Sequence, residues 1–380
     1  MSVFEHVVGQ QHAIAQLQRA AEHPQELAQS WLVCGPAGSG RTQLARCFAA
    51  ALECPDHGCG VCSVCQHVLR GTHPDVTVLS TDQVTLSIDQ VREVISKSEQ
   101  MPATAAWRII IIEDFERMLE RTTNVLLKEI EEPSAHAIWI LCAPSAQDVL
   151  PTIRSRTRII HCAIPTTEQI SQYLQDAMHI DQEQSMNIAR FAQGNLDLAQ
   201  QYVQDNVRLQ ARNSIISRAL TMRKASEAAL LAENMITSAQ KQAQADADTQ
   251  MSQEQQAFLH ANGLAEGDAI PAKLRSAYNA LGKKDVAKRL ATRRSRDVFD
   301  HMLIALASVY RDALVIAQGA DQRVELVNSI FEDDVRALAQ RIGAEGAVKR
   351  IEAIQTARAR LAANGNTTLV FEALLCSLLP

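Results

Sequence analysis

The sequence lacks the features of a membrane or exported protein. No apolar run approaches the roughly 20 residues that a membrane-spanning helix needs. The first residues, MSVFEHVVGQQHAIAQ, contain no basic region followed by an apolar core, so we expect no signal peptide. These absences predict a soluble protein of the cytoplasm with no membrane partner.

The chain also lacks an excess of positive charge and any repeat of fixed period. Its 37 Lys and Arg residues face 43 Asp and Glu residues, which gives a formal net charge of −6 at pH 7. This balance argues against a protein that coats nucleic acid by itself, although it is compatible with a local basic patch. With 380 residues, of which 47% are hydrophobic, the chain can fill the cores of two or three domains.

Short apolar runs alternate with helical stretches up to about His161. The predicted strands are SWLVC, DVTVL, RIIIIED, AIWILCA and TRIIHC. The run Ile109–Ile112 is apolar without alternation, as in a strand that is buried on both faces. Strands that alternate with helices predict an α/β fold, in which a parallel sheet is covered by helices.

The remainder of the chain has the composition of helices. Residues 165–204 predict a small helical domain, and long amphipathic helices rich in Ala and Leu follow over 205–380. Residues 237–269 are polar and rich in Gln and Ala. Their composition is compatible with an inserted, exposed helix pair and with a partly disordered segment.

The stretch GPAGSGRT, between a predicted strand and a predicted helix, is typical of a phosphate-binding loop. Gly35, Gly38 and Gly40 allow backbone N–H groups to converge on phosphate oxygens, and Thr42 is the expected Mg²⁺ ligand. Arg41 replaces the usual lysine. A guanidinium is planar and bulkier than an ammonium, so the replacement puts nucleotide binding in question.

Two carboxylates follow the buried isoleucine strand. An ATPase with such a loop usually has Asp and then Glu here, for Mg²⁺ and for the attacking water. This sequence has the inverted order, Glu113 and then Asp114. The pair is compatible with a weakened catalytic site and with two carboxylates that only end a strand.

The chain has nine cysteines, four of them close together. Cys54, Cys59, Cys62 and Cys65 have the spacing C-x4-C-x2-C-x2-C, which predicts a structural Zn²⁺ site. A redox pair or an iron–sulfur site are the alternatives, and His57 is interpreted as a bystander. The other cysteines lie on apolar runs and are expected in the core: Cys34, Cys47, Cys142, Cys162 and Cys376.

Several further stretches carry a family resemblance. NVLLKEIEEP (Asn124–Pro133), VLPTIRSR (Val149–Arg156) and GTHPDV (Gly71–Val76), with the loop and the cysteine cluster, closely resemble the delta-prime subunits of bacterial DNA polymerase III clamp loaders. This family is of the AAA+ class. The resemblance is specific over about Val7–Ala199, and the final TTLVFEALLCSLLP resembles the family's C-terminal collar helix.

The resemblance implies an AAA+ α/β nucleotide-binding domain over residues 1–164, with an inserted zinc module at about 54–65. A small helical lid over 165–204 and an all-α collar domain over 205–380 follow. It implies a hetero-pentamer with gamma/tau and delta subunits that loads the sliding clamp on primed DNA. The chain would then be an accessory subunit of the polymerase that is not catalytic by itself.

The resemblance also assigns a role to Arg156. Ser155-Arg156-Thr157 stands where the family has Ser-Arg-Cys, and that arginine acts on the ATP of the neighbouring subunit. The sensor positions depart from the family pattern, with Ser145 after a proline at the first and Asp197 in place of an arginine at the second. Together with Arg41 and the inverted order of Glu113 and Asp114 they predict a degenerate ATPase that holds ATP and Mg²⁺ weakly or not at all.

Two other functions are weighed against this one. An ATP-hydrolysing motor subunit of the gamma/tau type would be expected to have the lysine, the Asp-Glu order and the sensor arginine. A zinc-dependent nucleic-acid-binding module would be expected to have basic and aromatic residues around its cysteines. Arg289, Arg293 and Arg296 share one helix face, which we interpret as solvated rather than bound to nucleic acid, because the family's collar lies away from DNA.

Overall fold

The computed structural model describes residues 2–80, 85–265, 267–281 and 284–379. The chain divides into two compact units, Met1–Gln204 and Asp205–Pro380. Among the described residues, no helix combines the length and the apolar character that crossing a membrane requires.

The first unit contains one parallel sheet. Its strands are β1 (Ser30–Cys34), β2 (Val76–Leu79), β3 (Arg108–Ile112), β4 (Ala137–Ala143) and β5 (Arg158–His161). Their order across the sheet is β2-β3-β4-β1-β5, and every neighbouring pair is parallel. All the predicted strands and the α/β fold class are therefore confirmed.

Helices cover both faces of this sheet. Along β3, Ile109 and Ile111 pack into the core on one face, while Ile110 and Ile112 pack into the core on the other. The uninterrupted apolar run is thus explained by burial on both sides. The helices α1 to α9 span Gln11–Glu22, Arg41–Glu53, Ser63–Leu69, Ile88–Ser98, Glu120–Glu131, Pro151–Arg154, Thr167–Met178, Gln182–Ala192 and Leu196–Gln204.

The two ends of the parallel strands carry different parts of the chain. We call the side where the strands end the carboxyl edge of the sheet, and the side where they begin its amino edge. The phosphate loop follows β1, and the two acids follow β3, so both lie at the carboxyl ends of the strands. The end of α5, before β4, and the residues between α6 and β5 lie at the amino ends. At ~3.3 Å per residue, the five residues of β1 separate these edges by about 16 Å.

The second unit is helical. Its helices α10 to α15 span Asn206–Thr221, Ala225–Ala261, Ala272–Leu281, Lys284–Ala317, Glu332–Ala362 and Thr367–Ser377. The polar stretch from residue 237 begins inside α11, where Ala239, Ala243 and Ala247 are buried at a spacing of four residues. Small side chains on one helix face allow close packing, so the polar stretch up to the end of α11 belongs to a helix that packs through its alanines. Glu266, within 237–269, is outside the described residues.

The expectation that Cys376 belongs to the core was wrong. Cys376 is exposed, whereas Cys34, Cys47, Cys142 and Cys162 are buried. The buried positions of α15 are Val370, Phe371, Leu374 and Leu375. These form one face of the helix, and Cys376 falls outside it although its sequence neighbours are apolar.

Candidate functional site

The phosphate loop joins β1 to α2 and uses glycine where the backbone requires it. Gly38 and Gly40 have φ of +73° and +81°, in the left-handed region. A Cβ on Gly38 would lie 1.9 Å from Oδ1 of Asn195, and the N–H of Leu196 donates to the Gly38 carbonyl at 3.0 Å. The start of α9 therefore rests on the loop.

Arg41 turns back into its own loop. Its Nη1 donates to the carbonyl of Gly35 at 2.8 Å, and its Nη2 lies 3.8 Å from Oδ1 of Asp114. The arginine side chain is only 12% exposed. A guanidinium has the fork of donors to make both contacts at once, which an ammonium lacks.

A second arginine of the same helix pairs with the other acid, Glu113. Arg46, five residues further along α2, donates to Oε1 of Glu113 from Nε at 3.2 Å and from Nη2 at 2.8 Å. Asp114 adopts φ of +54° and also lies 3.8 Å from Nε of Arg117. Both carboxylates that follow β3 are therefore neutralised by arginines of their own chain, which competes with Mg²⁺ coordination.

A cleft of about 670 Å³ lies over the loop. Gly38, Gly40, Arg41 and Thr42 line it together with Asp197 of α9. Its size suits a nucleotide, but the carboxylate of Asp197 disfavours a polyphosphate. At the first sensor position, the hydroxyl of Ser145 accepts the N–H of Gln147 at 3.1 Å and so caps a short turn. Gly35 and Glu113 are hydrogen-bonded to two arginines that line the cleft, Arg41 and Arg46 respectively.

Arg156 lies at the opposite edge of the sheet, between α6 and β5. Its Nη1 donates to the carbonyl of Thr152 at 2.9 Å. Its Nε lies 3.2 Å from Oε2 of Glu131, and its Nη2 donates to Oε1 of the same residue at 3.3 Å. The guanidinium is thus held on two sides, while the arginine side chain is 35% exposed.

The neighbours of Arg156 are engaged within the first unit. The hydroxyl of Thr157 donates to the carbonyl of Ile153 at 3.2 Å, so the threonine serves the local turn. Arg158 lies over the ring of Trp31, with 5.1 Å between its guanidinium carbon and the ring centroid. Arg154 approaches the carbonyl of Ala146 at 3.5 Å. Within the part of the chain that the structure describes, Arg156 is the one of these arginines that pairs with an exposed carboxylate.

The four clustered cysteines converge in space. The Sγ atoms of Cys54, Cys59, Cys62 and Cys65 all lie within 4.8 Å of one another. Cys54 lies 3.7 Å from both Cys59 and Cys62, sulfur to sulfur. A tetrahedral site with Zn–S bonds of ~2.3 Å places its sulfurs about 3.8 Å apart, so the cluster fits zinc.

The surroundings of the cluster affect its thiols unequally. Burial opposes ionisation of Cys54, but the N–H groups of Cys59, Gly58 and Asp56 outweigh it and lower the pKa of this thiol to about 7. Burial raises the pKa of Cys65. The N–H group of Cys65 favours the thiolate of Cys62, but burial and the thiols of Cys59 and Cys54 outweigh it, so the pKa of Cys62 is also raised. Thiolates are the form that binds zinc. The carbonyl of Gly58 accepts the N–H of Val3 at 2.9 Å, which ties the module to the N-terminal segment.

Sequence reasoning missed two residues that these sites depend on. Arg46 was not singled out, although it follows Arg41 on the helix that faces the acids. Glu131 stood inside the quoted stretch NVLLKEIEEP without a role. Its signal was present: the C-terminal end of α5 carries Glu129, Glu131 and Glu132, where the helix dipole favours cations.

Comparison with known proteins relates the first unit to replication subunits. Residues 9–166 match the family model described as DNA polymerase III, delta subunit. The chain is 33% identical over 175 residues to the DNA polymerase III subunit delta' of Pseudomonas aeruginosa, which covers 44% of this chain and 52% of that protein. It is 33% identical over 159 residues to the subunit gamma/tau of Mycobacterium bovis, which covers 40% of this chain and 27% of that protein.

The predicted resemblance to the delta-prime family is thereby confirmed, and the gamma/tau relatives are equally similar. The chain spans about half or less of the length of these relatives. A solved structure, the DNA polymerase III gamma subunit-related protein of Thermotoga maritima, aligns over 96% of this chain and 97% of its own, with a TM-score of 0.42 and 15% identity.

Proposed function

We propose that this chain is a clamp-loader subunit of a bacterial DNA polymerase III, of the delta-prime kind. It joins gamma/tau and delta subunits in a pentameric ring that loads the sliding clamp on primed DNA. In that ring it lends Arg156 to the ATP site of a neighbour. It is itself a weak or inactive ATPase.

The observation that carries this proposal is the position of Arg156 relative to its own loop. Arg156 lies at the amino ends of the strands and the phosphate loop at their carboxyl ends, about 16 Å apart across β1. An arginine side chain cannot reach that far. If Arg156 acts on a phosphate at all, that phosphate belongs to another chain.

The reaction that Arg156 assists is phosphoryl transfer from ATP to water. Negative charge shifts between the γ-phosphoryl oxygens and the leaving oxygen in the transition state. A guanidinium offers paired donors that match these oxygens, and its benefit is larger in the transition state than in bound ATP. This chain would supply the arginine. The neighbour's site would hold Mg²⁺ and supply the lysine and the water-orienting carboxylate.

The state of the loop supports a weak ATPase. Arg41 is bonded to Gly35 and faces Asp114, and Arg46 holds Glu113. A nucleotide with Mg²⁺ would have to displace these ion pairs before it met any catalytic group. Thr42 lines the cleft and remains the residue expected to hold Mg²⁺ if nucleotide binds.

The cluster of Cys54, Cys59, Cys62 and Cys65 would hold one Zn²⁺ with a structural role. Four thiolates leave no coordination position for a substrate. Its removal should loosen the module and spare the sheet, whose strands do not depend on it. Elemental analysis of protein that was prepared without chelators should give one zinc per chain, and no zinc would contradict this assignment.

An arginine that acts in this way on the ATP of a neighbouring subunit is called an arginine finger. Its test uses rings reconstituted with the gamma/tau and delta subunits. Arg156→Ala should leave the chain folded and able to join the ring. It should slow ATP hydrolysis on the order of 10³-fold at the site that it serves, and clamp loading with it. Arg154→Ala and Arg158→Ala are the matched controls and should change both rates much less.

The measurement is the DNA-stimulated ATPase and clamp-loading rate of each ring, after its assembly is verified by size. A ring with Arg156→Ala that matches the wild type would refute the finger and leave a scaffold role.

A motor subunit of the gamma/tau type is the second candidate, since the gamma/tau relatives are as similar as the delta' relative. The isolated chain discriminates the two. Steady-state ATP hydrolysis that is lost on Thr42→Ala would favour the motor, whereas negligible turnover by the wild type favours the delta-prime role.

A further inference from the structure

The pairing of Arg156 with Glu131 is more specific than a chance surface contact. One edge of the guanidinium, Nε and Nη2, faces both carboxylate oxygens at 3.2 and 3.3 Å. Its Nη1 donates to the carbonyl of Thr152 at 2.9 Å. These contacts fix the plane of the group as well as its position, because a fork of donors meets a fork of acceptors.

The place of Glu131 in the fold conflicts with local helix preference. It is the last residue of α5, which ends Lys-Glu-Ile-Glu and continues into Glu132. The carboxyl end of a helix carries partial negative charge, which disfavours a carboxylate there. A local preference that is broken in this way indicates a tertiary or functional reason.

Stability is a weak reason for this carboxylate. The side chain of Glu131 is 55% exposed and that of Arg156 is 35% exposed. Ion pairs at such exposure contribute little to folding, because water screens them and the long side chains lose freedom. What the pair does achieve is to hold one rotamer of a solvent-accessible arginine.

We propose that Glu131 is a positioning residue that holds Arg156 ready for the γ-phosphate of a neighbouring subunit's ATP. This inference rests on the function proposed above. Glu131 takes one N–H of Nη2, and the second N–H of that nitrogen has no acceptor among the described residues. A phosphate oxygen can therefore approach the end of the guanidinium while its side edge stays on the carboxylate.

The gain is pre-organisation. A free arginine side chain would lose rotamer freedom each time it met the phosphate, and this loss would add to the barrier of hydrolysis. With Glu131 and Thr152 in place, the guanidinium is already oriented before the subunits meet. Loss of Glu131 should therefore lower kcat and leave the KM for ATP unchanged.

The first experiment observes the pair in the isolated full chain. The Nε–H of Arg156, assigned by its loss in Arg156→Ala, is followed by ¹⁵N NMR. Glu131→Ala should shift this signal and speed its exchange with water. Glu132→Ala, which removes the adjacent exposed carboxylate, should do neither. An Arg156 signal that is unchanged by Glu131→Ala would overturn the pairing.

The second experiment is a double-mutant cycle in the reconstituted ring. Glu131→Ala should lower the clamp-loading rate constant roughly three- to tenfold, with KM for ATP unchanged, and Glu131→Gln should recover part of the loss. Glu131→Ala should cause no further loss in a ring that already carries Arg156→Ala.

The outcomes separate this inference from the function it rests on. If Arg156→Ala is slow but Glu131→Ala matches the wild type, the positioning role is wrong and the finger stands. If Glu131→Ala slows the ring that carries Arg156→Ala by the same factor as it slows the wild-type ring, Glu131 acts independently of the arginine. That result also refutes the positioning role. If Arg156→Ala itself matches the wild type, the finger fails and the positioning role fails with it.

Discussion

The two edges of the sheet use arginine in opposite ways. At the carboxyl ends of the strands, the largely buried Arg41 and the partly exposed Arg46 pair with Asp114 and Glu113 of the same chain, whose carboxylates are largely buried. At the amino ends, Arg156 stays partly exposed on a carboxylate that is itself exposed. In the first arrangement the carboxylates that Mg²⁺ would need are already engaged by arginines, and in the second the carboxylate of the pair stays open to water.

The difference shows that residue type alone does not distinguish an arginine in a buried ion pair from an arginine that a ligand can reach. All three arginines are paired with carboxylates. The acids beside the loop are 15% and 16% exposed, against 55% for Glu131. Since water screens the exposed pair, a phosphate can approach the guanidinium of Arg156 at a lower cost than it can approach the arginines beside the loop.

The largest effect is expected at a buried pair at the same edge as Arg156. Asp75 is fully buried, lies 3.1 Å from Nη1 of Arg108, and accepts the N–H groups of Ala103 and Thr104 at 2.7 and 2.8 Å. Asp75→Asn leaves the buried guanidinium without its counter-charge, so it should cost about 3–5 kcal/mol of unfolding free energy. Denaturant unfolding measures it, with the exposed Asp89→Asn as the matched control.

The pKa of Asp75 also determines how the unfolding free energy changes with pH. Burial opposes ionisation of Asp75, but the N–H groups of Ala103 and Thr104, the Thr104 hydroxyl and Arg108 outweigh it and lower its pKa. A lowered pKa stabilises the fold above the ordinary Asp pKa of ~3.9, and this stabilisation is lost as the pH falls through the lower value in the folded state. The stability gap between wild type and Asp75→Asn should therefore narrow in acid; a constant gap would argue against an ionised Asp75.

A smaller effect is expected when the loop is returned to the usual ATPase pattern. The triple variant Arg41→Lys, Glu113→Asp and Asp114→Glu removes the guanidinium that bonds Gly35, and it shortens the side chain that Arg46 holds. Binding of ATP with Mg²⁺ should tighten about tenfold, or ~1.4 kcal/mol. Calorimetric titration measures this change.

Addition of Thr42→Ala to the triple variant is the control and should cancel the gain. Equal affinities of the wild type and the triple variant would show that the internal ion pairs do not limit nucleotide binding, and the contrast between the two edges would lose its energetic basis.

The smallest effect should be the stability change on loss of the exposed pair. Arg156→Ala and Glu131→Ala should each change the unfolding free energy by no more than about 0.5 kcal/mol. Thermal unfolding of the isolated chain tests this. A loss of several kcal/mol would make the pair a structural element, and the rate effects in the ring would then need another explanation.

The sequence predicted most of the first unit because its signals are local. Five apolar runs became the five strands of the sheet, and the cysteine spacing brought four sulfurs within 4.8 Å. Cys376 shows the limit of this reasoning: an apolar stretch was taken as core, but one helix face is buried and this residue is on another.

By itself, the sequence determined the strands, the glycine loop, the cysteine cluster and the positions of the arginines, since each depends on residues a few places apart. Only the tertiary structure decided which charges are engaged. Arg46 lies 67 positions from Glu113, and Arg156 lies 25 positions from Glu131. Whether such charges meet, and how much water screens them, depends on the packing of the sheet and its helices, which no spacing along one chain specifies.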